Sequence, residues 1–171
     1  TNTIYHGFNL NYFKNNSRNL KLIKRKYKID ENQFVIGAIS RLVYWKNVDK
    51  VIDAFLLFKK YFNNKSILLL ANIDKNGVNA KKVLKKLNCL TPKDYRLVEF
   101  EEDVFSLYRL FDIFIHIPKK GGYEAFGQTF IESMLSNTPT IFSETGIAKE
   151  ICKTRVNTYF CNPENLFDIL K

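Results

Sequence analysis

QFVIGAISRLVYWKNVDKVIDAFLLFKKYF, residues 33–62, is the unit from which the rest of the chain is built. Residues 33–40 form a continuous run of β-branched and small apolar side chains, the pattern of a strand buried on both faces. The loop RLVYWKN that follows carries the cations Arg41 and Lys46. Beyond it, Val48, Val51, Ile52, Phe55, Leu56 and Phe62 recur mainly at intervals of three and four, which is the apolar stripe of a helix. A buried strand leading through a loop into an amphipathic helix is the repeating piece of a parallel α/β sheet.

The same piece recurs along the chain. SILLLAN (66–72) reads as a strand and NGVNAKKVLKKLN (76–88) as a helix; YRLVEF (95–100) and EDVFSLYRLF (102–111) repeat the pair. IFIHIP (113–118) is a fourth strand, followed by a loop and a helix from Gly127 to Ser136. Thr140 to Ser143 reads as a short strand, GIAKEIC (146–152) as a short helix, and TYFCNPENLFDIL (158–170) as a last strand and a turn of helix. Six apolar strands alternating with helices predict a Rossmann-like parallel sheet covered on both faces. Upstream, Ile4-Tyr5 reads as a linker strand and NNSRNLKLIKRKYKIDEN (15–32) as a loosely structured basic loop. The expected division is a linker over 1–31 and one Rossmann-like domain over 32–171.

Composition narrows the classes. The 171 residues suit one domain with a full core, and 46% are hydrophobic and 15% aromatic. Lys and Arg outnumber Asp and Glu by 27 to 17, for a formal charge of +10, which favours phosphates, anionic ligands or an anionic membrane surface. Abundant Asn, Lys, Ile, Phe and Tyr fit an AT-rich coding bias, so the charge is not read as nucleic-acid binding. Cys89, Cys152 and Cys161 lack metal-type spacing and read as buried thiols of a reducing compartment, without zinc. No apolar run reaches membrane-span length and the N-terminus lacks a signal-peptide pattern, so a cytoplasmic location is expected, with the inner face of a membrane allowed. A start at Thr1 in place of methionine suggests a fragment of a larger protein.

In sheets of this kind ligands bind beyond the carboxyl ends of the strands. Two such loops carry unusual chemistry. Arg41 and Lys46 offer a planar fork and a point charge to a diphosphate. The second loop lies within PKKGGYEAFGQTFIESMLSNTP (118–139), which places Glu124 at a helix mouth and Glu132 about two turns in. Unpaired N–H groups at that mouth form an anion site, and the carboxylates can accept hydrogen bonds from hydroxyls. Neither G-x-G-x-x-G nor G-x-x-x-x-G-K-[ST] occurs, which removes the main support for a nicotinamide or P-loop site.

Pro118, Glu124-Ala125-Phe126-Gly127, Glu132-Ser133-Met134, Pro139, Thr145-Gly146 and Glu150 together resemble the C-terminal half of the GT-B retaining glycosyltransferases, the glycosyl transferases group 1 family. Ser40-Arg41-Leu42 with Lys46 resembles that family's G-R-L and K-G, and Ile4-Tyr5-His6-Gly7 its entry into the C-terminal domain, so the likeness runs from about Ile4 to Ile151. It implies one half of a GT-B architecture, with an N-terminal acceptor domain elsewhere. It also implies that a nucleotide-diphosphate sugar is the donor substrate, that no metal or cofactor is needed, and that the acceptor is a glycan or glycolipid. Arg41 and Lys46 would hold the diphosphate, assisted by backbone N–H groups around Phe126, Gly127 and Gln128. Glu124 would face the donor sugar, Glu132 the ribose, and Gly146 would lie among the donor contacts. His116 reads as packing beneath the loop, and His6 as a residue of the domain junction.

The departures from the family pattern are specific. Lys119–Tyr123 lengthens the loop before Glu124; Ala125, Asn47, Asn137 and Ile147 replace glycines. Asn tolerates positive φ, whereas a β-branched Ile147 would resist it and crowd a ligand. These departures and the +10 charge favour the alternative, a non-catalytic nucleotide or polyanion binding module.

Overall fold

The computed structural model describes residues 2, 4–13, 17–121, 123–153, 156 and 158–170. Its six strands are β1 (Phe34–Ile39), β2 (Ser66–Ala71), β3 (Tyr95–Val98), β4 (Ile113–His116), β5 (Thr140–Phe142) and β6 (Tyr159–Phe160). They pair in the order β3-β2-β1-β4-β5-β6, every pair parallel. The helices are α1 (Ser17–Lys26), α2 (Val48–Tyr61), α3 (Ala80–Leu87), α4 (Val104–Leu110), α5 (Gln128–Leu135), α6 (Ala148–Ile151) and α7 (Leu166–Leu170). The sheet grows one way through β2 and β3 and the other way from β4 onward, so the crevice lies beyond the ends of β1 and β4. The predicted Rossmann-like class is the observed one.

Alternation along each strand divides the apolar residues between two cores. Ile36, Ala38, Leu68, Leu70 and Ile115 face one layer with Phe55 of α2, Val83 of α3 and Leu170 of α7. Val35, Ile39, Leu69, Phe114 and Phe142 face the other with Ile23 of α1, Tyr108 of α4 and Phe130 of α5. At Gly37 the backbone comes so close to α4's end that a Cβ would lie 2.3 Å from the Phe111 ring.

Two expectations about the first third change. The basic stretch read as a loose loop contains a helix, α1, and Ile23 and Ile29 are buried in the second core. Its C-terminal end is tied down: Lys26 Nζ donates to Glu101 at 2.7 Å, Tyr27 Oη donates to the same carboxylate, and Arg96 reaches the carbonyls of Tyr27 and Lys28 at 2.6 and 2.9 Å. The cations hid an apolar stripe of only a few residues. Residues 4–9 form no strand, and Ile4 is 92% exposed. Instead Tyr5 Oη donates to Glu150 and the His6 ring lies 5.0 Å from Phe126.

Cys152 and Cys161 are buried, and burial pushes their thiols up to about 11 and about 12. Cys89 is exposed, contrary to the sequence reading. No helix among the described residues is long and apolar enough to cross a membrane.

Gly37→Ala forces a methyl group into the Phe111 ring and is expected to cost about 1–3 kcal/mol. A lowered urea midpoint at unchanged slope would show it; an unchanged midpoint would mean that Phe111 gives way freely.

Candidate functional site

Lys46 ends the 3-10 turn Tyr44–Lys46 that follows β1, and Glu124 lies in the loop that follows β4. The two side chains form an ion pair, with only 14% and 12% of each exposed. Backbone contacts hold their loops together. Asn47 takes φ 53°, as an asparagine can, and its Nδ2 donates to the Ile117 carbonyl at 2.8 Å. Lys119 N donates to the Trp45 carbonyl at 2.7 Å. Gly122 of the lengthened loop lies outside the described residues.

His116, at the end of β4, completes the cluster. Its Nε2 lies 3.0 Å from Glu124 Oε2, the same oxygen that accepts from Lys46. Among the described residues Oε1 accepts nothing, so one carboxylate oxygen is fixed and the other is available. The His116 ring is 3% exposed, edge-on to Phe130 at 5.0 Å and stacked on Phe114 at 6.2 Å. Burial alone would push the Glu124 carboxyl up, but hydrogen bonds from His116 and Lys46 outweigh it and hold the group at about 2. Burial, with the Lys46 charge added, lowers His116 against the opposing pull of Glu124. Near neutrality His116 is therefore the Nε2–H tautomer, donating to an ionised Glu124. The sequence reading put His116 beneath this loop, as found; its bond to Glu124 was missed. A histidine two residues before Pro118, at the inner end of a buried strand, was the available signal.

α5 begins at Gln128, directly after Gly127 with φ 82°. A Cβ at Gly127 would lie 2.5 Å from the Phe130 ring, so glycine is required there for space as well as backbone. The N–H groups of Phe126, Gly127 and Gln128 donate to no described residue. One turn further, Glu132 accepts from Tyr108 Oη at 2.8 Å. Burial and the Glu132 carboxylate push that phenol well above its ordinary range, so Tyr108 stays a donor.

Glu132 also lines a pocket of about 290 Å³ beside Ile39, Ala71, Asn72, Gln128 and Thr129. The pocket thus opens at the carboxyl ends of β1 and β2 and at the first turns of α5. Thr129 Oγ1 is buried there with no hydrogen-bond partner among the described residues, an unmet demand that a polar ligand could satisfy.

The loop after β5 supports the same region. Gly146 takes φ 53°, and a Cβ there would lie 2.8 Å from the Phe126 carbonyl and 3.2 Å from Glu124 Cγ. Ile147 needs no such conformation: its φ is −67°, its side chain lies in the second core, and its N–H donates to the Phe126 carbonyl at 3.0 Å. The expected clash with a ligand disappears because only Gly146 carries the left-handed turn. Asn137, φ 54°, closes α5 as anticipated. Arg41 is exposed, and its guanidinium has no partner among the described residues. Among those residues no three His, Cys, Asp or Glu side chains form a metal-type group.

A parallel sheet of this order, with charged loops at its switch point and a pocket at a helix mouth, has the Rossmann-like fold of GT-B glycosyltransferase domains. The chain belongs to the glycosyl transferases group 1 family, whose sequence model matches residues 20–170. Among solved structures it is similar to Anabaena Alr3699/HepE, determined in complex with UDP-glucose, at 24% identity and a TM-score of 0.84, over 98% of this chain and 46% of that one. A glycosyltransferase from Rickettsia africae ESF-5 is similar at 22% identity and a TM-score of 0.79, over 96% and 43%. The C-terminal domain of the Francisella tularensis group 1 protein LpcC is similar at 21% and 0.76, over 96% and 86%. The chain thus spans under half the length of the first two. No curated protein matches it in sequence.

His116 and Glu124 both have folded pKa values below their ordinary 6.5 and 4.5. Their contribution to stability is complete above those ordinary values and is lost as acid protonates the unfolded chain more readily than the folded one. The stability advantage of wild type over His116→Phe should therefore narrow as pH falls below 6.5. Urea unfolding across pH checks this; a difference independent of pH would contradict it.

Proposed function

We propose that this chain is the donor-binding half of a retaining, metal-independent glycosyltransferase, transferring a sugar from a nucleotide-diphosphate sugar to a glycan or lipid acceptor. The observation that carries the reading is that the start of α5 serves both groups: Gln128 and Thr129 line the Glu132 pocket, while Gly127 just before them packs against Glu124 of the Lys46–Glu124 pair, and the N–H groups of Phe126, Gly127 and Gln128 are left uncapped. The UDP-glucose complex of Alr3699/HepE, superposable on 98% of this chain, supports a nucleotide sugar as the ligand.

Each group has a role in this reading. Glu132, oriented by Tyr108, accepts from the ribose hydroxyls, and Thr129 adds its unpaired hydroxyl to the pocket. The N–H groups of Phe126, Gly127 and Gln128 face the diphosphate with the positive end of the helix dipole. Lys46 is already charge-balanced by Glu124, so the net positive charge for the diphosphate comes chiefly from Arg41, while Lys46 contributes its remaining N–H donors. The free Glu124 oxygen accepts from a donor-sugar hydroxyl, and Gly146 lets the loop after β5 approach. When the bond from the anomeric carbon to the diphosphate oxygen breaks, its electron pair stays on that oxygen, and these donors stabilise the charge that develops. The sugar is transferred with its anomeric configuration retained. The acceptor and a second domain complete the site, so this chain alone binds donor without transferring it. The reading carries with it a cytoplasmic location, at the inner membrane face where the acceptor is a lipid.

Calorimetry with UDP, other nucleoside diphosphates and their sugars tests the proposal. One base should be preferred, and Glu132→Ala should weaken binding about tenfold, the scale of a lost hydrogen bond to a charged group. Absence of binding by a folded protein would overturn it. The +10 charge favours a second reading, a polyanion-binding module, which would show no base preference and a steep loss of affinity with salt.

A further inference from the structure

Beside the Lys46–Glu124 pair lies an aromatic cluster that neither core uses. Tyr44 and Trp45, from the loop after β1, meet Tyr123, from the loop after β4. Trp45 and Tyr123 stack at 5.9 Å with their planes 16° apart, and Tyr44 stands edge-on to both, at 5.1 and 5.9 Å. The two phenol oxygens share a hydrogen bond of 3.1 Å, and Lys119 Nζ lies 5.0 Å from the Tyr44 ring centre. Tyr44 and Tyr123 remain 49% and 48% exposed.

Sequence adjacency ties this cluster to the reaction site: Trp45 precedes Lys46 and Tyr123 precedes Glu124. None of the three rings lines the Glu132 pocket. A ligand that approaches the Lys46–Glu124 pair along these two loops, outside that pocket, meets half-exposed rings edged by phenol hydroxyls and an ammonium group. Such a surface offers apolar area together with donors and acceptors at its edge. A pyranose has the matching chemistry, a flat face of C–H bonds rimmed by hydroxyls. A fatty chain would leave the hydroxyls unused, and a polyanion would leave the ring faces unused.

We propose that Tyr44, Trp45 and Tyr123 form a saccharide subsite that holds an uncharged pyranose ring of the acceptor against the Lys46–Glu124 pair. The subsite rests on the glycosyltransferase reading above and specifies its acceptor: the group receiving the sugar is itself carried on, or next to, a sugar ring.

Trp45 is the only tryptophan of the chain, so its fluorescence reports directly on the subsite. The protein is titrated with methyl glycosides of glucose, galactose, mannose and N-acetylglucosamine and with their disaccharides, first alone and then saturated with the nucleoside diphosphate that calorimetry selects. At least one glycoside should give a saturable fluorescence change that persists with the nucleotide bound. Tyr44→Ala and Tyr123→Ala should each weaken it about tenfold. Tyr44→Phe and Tyr123→Phe, which keep the rings, should weaken it less and guard against loss of fold, which circular dichroism monitors. Nucleotide binding with no glycoside response would overturn the subsite and leave the donor reading intact. A response confined to the nucleotide sugar would also overturn it, by assigning the rings to the donor's own sugar. Failure of every nucleoside diphosphate to bind would instead count against the donor reading.

Discussion

A half-buried carboxylate held ionised by two donors on one of its oxygens is the constraint on which this site depends. Desolvation pushes the Glu124 carboxyl up, and His116 and Lys46 more than reverse that shift. The three groups come from the loop after β1, the end of β4 and the loop after β4. Their bonds add a charged link to the Asn47–Ile117 and Lys119–Trp45 bonds that already join these two loops. The free oxygen of Glu124, the open N–H groups of α5 and the aromatic surface of Tyr44, Trp45 and Tyr123 all take their positions from the joined loops.

The rest of the molecule supplies what the joined loops require. β1 and β2 are buried on both faces, so their ends form a rigid floor for the loops. Glycine appears where backbones approach most closely: Gly127 lies under the Phe130 ring and Gly146 against the Phe126 carbonyl. Asn47 performs two tasks, taking the left-handed turn before α2 and bridging through its side chain to Ile117, just after β4. That second task explains why asparagine suits a position where glycine would supply only the turn.

Much of this was legible in the sequence, for identifiable reasons. Uniformly apolar strands and helical stripes declare a parallel sheet, and the asparagines at 47 and 137 declare their backbone. α1 was obscured because its few apolar contacts, Leu20 and Ile23, are diluted by cations on the remaining faces. Ile147 was misjudged by position, since the strained conformation falls one residue earlier, on Gly146. Lys46 and Glu124 were recognised as separate polar groups but not as partners. Their bond is a long-range contact across 78 residues, and no local pattern encodes it. The bonds of His116 to Glu124 and of Tyr108 to Glu132 were hidden likewise, although every one of these residues lies in a stretch whose secondary structure was read correctly.

The state of one carboxyl group tests this account most directly. A carboxyl-carbon NMR titration of Glu124 should give a pKa of about 2 in the wild-type chain, moving upward in Lys46→Met and in His116→Phe. A Glu124 that titrates near its ordinary 4.5 and ignores both substitutions would contradict the account, because the carboxylate would then lack the two partners that hold it ionised.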